Sequence, residues 1–116
     1  MPSNQRISPM AISPSTQFHE RQLDDFRRIL KDHLLSIAAH YKVKSLGVFG
    51  SFVRGEQAED SDFDVLVEFV EAPDIFQFME LEQYLSDLLK HKVDLVSRDA
   101  LHGRIGERIA REVIPI

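Results

Sequence analysis

Apolar residues along this chain recur with two different periods, and the switches between them divide the sequence into elements. From about Phe18 to Lys42 the positions Leu23, Phe26, Ile29, Leu30, Leu34, Ile37, Ala38 and Tyr41 follow one another at three- and four-residue steps, the spacing of one face of an amphipathic helix. Asp24, Asp25, Arg27, Arg28, Lys31 and Asp32 then fall on or near its solvated side. His33 and His40 have no carboxylate at ligand spacing beside them and read as surface histidines. Three short runs follow a strand pattern instead: Ser45 to Phe49, Phe63 to Phe69 and Lys92 to Ser97. The second is almost continuously apolar, as in a strand with little exposure.

Between the second and third runs, Asp74 is suited to cap a helix reaching about Lys90. Its predicted inward face is Ile75, Phe78, Met79, Leu81, Leu85, Leu88 and Leu89. Asp99 to Glu112 predicts a third long helix, with Leu101, Ile105, Ile109 and Ala110 inward and weakened by Gly103 and Gly106. The apolar end, Val113 to Ile116, either packs as a last strand or faces a partner. Met1 to Thr16 holds three prolines and four serines without apolar periodicity, which predicts a flexible extension over 1–16 ahead of one domain over 17–116. The fold class expected is α/β (α+β): a small mixed sheet with helices packed against it.

Composition narrows the function classes. The 116 residues suit one small domain, and 43% apolar residues suffice for a core. Without cysteine, disulfides, thiolate chemistry and cysteine-bound zinc are excluded. No apolar run approaches a membrane span, and no secretory signal pattern opens the chain, so a cytoplasmic location is expected. A formal net charge of −5 argues against a broad basic face for nucleic acid.

The chemistry concentrates between Gly47 and Glu68. The first strand runs into Gly50-Ser51, whose side-chain-free backbone and small hydroxyl suit a phosphate. Ser51 could equally serve as a helix cap. Arg54 follows one turn later, placed either to contact a phosphate or to pair with Glu56 or Glu59, and Gly55 ends the turn. After an acidic loop, Asp62 and Asp64 sit two apart at the mouth of the second strand, so both carboxylates point to one face. Carboxylates held together repel unless a cation sits between them, and a hard divalent ion such as magnesium suits such oxygen ligands.

Gly-Ser, two residues, Arg-Gly, then Ser-Asp-x-Asp before an apolar strand resembles the signature of the DNA polymerase beta-like nucleotidyltransferase superfamily, and in so short a chain its minimal nucleotidyltransferase (MNT) family. The motif occupies Gly50 to Asp64, and the likeness of element order extends from about Val43 to the end. In that superfamily a third carboxylate comes from a later strand, and Asp94 is the acidic residue placed for it. Its rival reading is a residue that faces solvent on a half-exposed sheet or pairs with Lys92.

The resemblance implies a polymerase-beta-like fold and two Mg²⁺ ions held by Asp62, Asp64 and Asp94. It further implies ATP bound through Gly50, Ser51 and Arg54, with in-line displacement at the α phosphate. MNT proteins accompany HEPN-domain toxins, so it also implies an antitoxin that transfers AMP to a toxin hydroxyl, a tyrosine being the favoured acceptor. No membrane and no direct nucleic-acid contact are expected, and homo- or hetero-oligomers are compatible. The alternatives are a binding-only antitoxin with a vestigial site and a small-molecule, antibiotic-type nucleotidyltransferase.

Overall fold

The computed structural model describes residues 14–116, with side chains from 21 onward. The expected extension over 1–16 therefore lies outside the described residues up to 13, while Pro14 to Thr16 belong to the first helix. Helix α1 spans Pro14–Tyr41, starting on a proline whose fixed φ suits a helix start. It is followed by β1 Val43–Phe49, the single turn α2 Ser51–Arg54 and β2 Phe63–Phe69. Then come α3 Ile75–Leu89, β3 Val93–Ser97, a 3₁₀ turn Arg98–Ala100, α4 Gly103–Glu112 and β4 Ile114–Pro115.

The strands form one mixed sheet in the order β3-β2-β1-β4. β1 is antiparallel to β2 and to β4, whereas β2 and β3 run parallel, joined by α3. The terminal apolar run thus pairs with β1, through Gly47 opposite Pro115 and Val48 opposite Ile114.

Alternation along the strands sorts the two faces of the sheet. Leu46, Val48, Phe63, Val65, Val67, Val93 and Leu95 enter the main core with Phe26, Leu30 and Ile37 of α1 and Leu81, Leu85 and Leu89 of α3. A second, smaller cluster gathers Phe49 and Leu66 under Ile109 of α4, with Val96, Leu101 and Val113 packed against it. One face is therefore fully covered by helices, and the other only partly, by α4. That partial cover leaves one end of the second face free to carry carboxylates.

α3 is held at its start by a reciprocal capping box. Asp74 accepts from the Gln77 N–H, and the Gln77 side chain accepts from the Asp74 N–H. Its inward stripe is Phe78, Leu81, Leu85 and Leu89. Ile75 and Met79, expected inward, are 62% and 58% exposed. At 100° per residue Met79 lies roughly 200° round the helix from the fully buried Leu81, so both cannot face the sheet.

The long third helix expected over 99–112 is divided. Leu101 and His102 are extended between the 3₁₀ turn and α4. The inward face of α4 is Gly106 and Ile109, and Ile105 and Ala110 are exposed. Gly106 sets that phase because a Cβ there would sit 3.1 Å from the Leu101 carbonyl carbon and 3.2 Å from its Cβ. A side chain there would crowd the preceding turn, which would have to give by a few tenths of an ångström.

Candidate active site

The Gly-Ser turn is built by the end of β1. Gly50 has φ +85° and caps α2, its carbonyl accepting from the Val53 and Arg54 N–H groups at 3.1 Å each. Any side chain at Gly50 would overlap the Asp64 carboxylate. The glycine is thus required twice, by a positive φ and by the approach of β2. Ser51 opens α2 with Gly50 in the cap position before it, so the capping role that its residue type suggested falls to the glycine. No protein acceptor within the described residues takes the Ser51 or Phe52 N–H. Gly55, left-handed at φ +71°, closes the turn.

The carboxylates are delivered by a second set of local contacts. Ala58 N–H donates to Ser61 Oγ at 2.8 Å and Ser61 N–H to the Ala58 carbonyl at 3.1 Å, turning the acidic loop toward β2. His91 Nε2 donates to the Ser61 carbonyl at 2.8 Å, its ring set against Phe26 and Phe52. The Phe63 N–H donates to the Lys92 carbonyl at 2.9 Å, starting the parallel pairing of β2 and β3. In that register Asp64 stands directly opposite Asp94.

Asp64 and Asp94 thus lie side by side on one face of the sheet. Burial, then the charges of Asp94 and Asp62, push the Asp64 carboxyl up to about 6, against an opposing effect of Arg54. Asp94 itself is exposed on β3, as its solvent-facing reading held, but Lys92 pairs with Asp62, at 3.4 Å. Among the described residues, no three His, Cys, Asp or Glu side chains are gathered closely enough to hold a metal ion. Asp64 and Asp94 are brought together, while Asp62 leans toward Lys92.

The chemistry of the donor set nevertheless fits a divalent cation. A carboxyl pair at a strand mouth, one member driven toward its protonated form by burial and by its neighbour, is an oxygen-ligand site short of positive charge. An Asp62–Lys92 pair with side chains 39% and 77% exposed contributes only about 0–1 kcal/mol, so Asp62 is easily released from it.

Glu112, at the end of α4, is the residue that sequence reasoning did not single out. Its Oε2 accepts the Gly50 N–H at 2.6 Å and its Oε1 accepts Arg54 Nη1 at 2.9 Å. Arg54 Nε also donates to Glu56 Oε1 at 2.9 Å, the surface pair its position suggested. Burial pushes the Glu112 carboxyl up, but the Gly50 N–H and the Arg54 guanidinium together bring it below the usual range. Fifty-eight residues separate Arg54 from Glu112, so no local spacing could have pointed to the contact.

The chain is similar to several known proteins. A protein adenylyltransferase, MntA, of Thermococcus cleftensis is 45% identical over 92 residues, covering 79% of this chain and 93% of that protein. A solved structure described as a minimal nucleotidyltransferase is 32% identical, with a TM-score of 0.65, covering 93% of this chain and all of that one. A tri-AMPylated HEPN toxin in complex with its MNT antitoxin, from Shewanella oneidensis, shares the fold at 21% identity and a TM-score of 0.51. That likeness covers 86% of this chain and 70% of the other. The nucleotidyltransferase domain model matches residues 23–115; this chain belongs to the nucleotidyltransferase domain family.

Proposed function

We propose that this chain transfers AMP from ATP, with magnesium, to a hydroxyl of a HEPN-domain toxin, a tyrosine being the favoured acceptor, and acts as an antitoxin by doing so. The observation that carries the reading is the packing of Gly50 against Asp64 beside Asp94. It puts a turn suited to phosphate next to paired carboxylates suited to a divalent cation. The adenylyltransferase name of the Thermococcus cleftensis relative, and the AMPylated toxin of the Shewanella oneidensis complex, support AMP and a protein acceptor.

In this reading Asp62, Asp64 and Asp94 hold magnesium, which when bound offsets the charge of the triphosphate and of the entering oxygen. Ser51 offers its hydroxyl and N–H to the phosphates, Gly50 supplies the room for their approach, and Arg54 adds a cation. The acceptor hydroxyl oxygen bonds to the α phosphorus, the bond to the bridging oxygen breaks, and pyrophosphate leaves. In this reading Asp94, the most exposed of the three strand-end carboxylates, takes the hydroxyl proton. The chain's own contribution is mainly positioning.

A contact-only antitoxin is the second reading. The observation on its side is that Asp62 pairs with Lys92 instead of joining Asp64 and Asp94. Co-expression with the cognate toxin separates the two. The transferase reading expects the Asp62→Asn, Asp64→Asn double variant to lose protection while still folding. Full protection by that variant would favour contact alone.

A further inference from the structure

The Gly50 N–H and one arm of the Arg54 guanidinium both point at the same carboxylate, and it belongs to the opposite end of the chain. The Glu112 side chain is only 13% exposed, and each of its oxygens serves a different donor. This carboxylate could occupy the phosphate's place and have to leave, or it could brace the turn from behind. The distribution of donors decides between them. Glu112 takes the N–H of Gly50, the residue before α2, whereas the Ser51 and Phe52 N–H groups stay without a protein acceptor among the described residues. On Arg54 it takes Nη1 and Glu56 takes Nε, so the guanidinium is held from two sides while Nη2, which lies between them, has no partner among the described residues. A plug would cover the donors meant for the ligand; Glu112 engages those beside them.

Resting on the phosphate role proposed for Ser51 and Arg54, we infer that Glu112 is a positioning residue for nucleotide binding. It ties the last turn of α4 to the Gly-Ser turn and fixes Arg54 through Nη1, so that the remaining donors converge on the triphosphate. The same tie explains how the short β4 serves the site. Ile114 and Pro115 pair with β1 directly after α4, fixing the height at which Glu112 reaches the end of that strand.

Glu112→Gln keeps the shape and an acceptor for Gly50 but removes the charge that holds Arg54. Calorimetry with a non-hydrolysable ATP analogue and magnesium should show nucleotide affinity weakened about tenfold, the scale of losing an outer supporting partner. In an Arg54→Ala background the same substitution should cost clearly less, because part of its effect passes through Arg54. Glu112→Asp, a milder change that retains the charge, should fall between wild type and Glu112→Gln. A purely structural role would lower the melting temperature of Glu112→Gln and Glu112→Asp and leave the affinity of the folded protein unchanged, which would overturn the inference. Tighter binding by Glu112→Gln would overturn it in favour of a plug. A wild-type chain that binds no nucleotide would instead remove the phosphate reading itself.

Discussion

Asp64 is the residue at which folding and the proposed function oppose each other. An unfolded carboxyl titrates near 3.9, whereas in the fold burial and the neighbouring Asp94 and Asp62 raise Asp64 to about 6. The native state therefore holds this proton more tightly than the unfolded chain. The stability it lends is fully present below pH ~3.9 and is lost as pH rises through about 6. Asp64→Asn should accordingly stabilise the metal-free protein at neutral pH by about 1–2 kcal/mol after solvent screening, while abolishing transfer. Melts in chelator from pH 4 to 7 would show wild type falling away from the variant; parallel curves would contradict the assignment. Ser51→Ala is the complementary case. Gly50, not Ser51, holds the cap position, so the melting temperature of this variant should stay near wild type while nucleotide affinity drops by about 1.5–3 kcal/mol. Unchanged affinity would remove Ser51 from the phosphate site.

At the scale of elements, what the sequence made legible was whatever a local pattern carries. The Gly50 turn, the Asp62-Asp64 strand mouth and the inward stripe of α1 all show in spacings of two to four residues. Asp94 was legible only through the family resemblance, and the parallel register of β2 and β3 sets it opposite Asp64. The phase of α4 was not legible, because its buried face is centred on Gly106, a residue silent in a hydrophobic pattern, while the exposed Ile105 reads as core. Glu112 was hidden for a different reason: its partners are brought to it only by tertiary packing. Gly106→Ala tests the α4 account. A methyl 3.1 Å from the Leu101 backbone should force α4 away and cost about 1–3 kcal/mol. Because Glu112 rides on α4, nucleotide affinity should weaken as well. A neutral or stabilising substitution, as helix propensity alone would give, would contradict that packing.

Across the whole molecule the design is a sheet with one face buried under α1 and α3 and the other lent partly to chemistry. The described residues carry the core and all of the proposed site, so removal of residues 1–13 should leave the melting temperature and nucleotide transfer near wild type. A large loss in either would give that segment a part in the fold or the reaction. The claim on which the whole account rests is transfer of AMP to a partner protein. Intact-mass spectrometry of the purified HEPN partner, incubated with this chain, ATP and magnesium, tests it most directly. The account predicts a gain of one or more AMP masses with wild type and none with the Asp62→Asn, Asp64→Asn double variant. An unchanged partner mass with active wild-type protein, or an equal gain with the double variant, would contradict it.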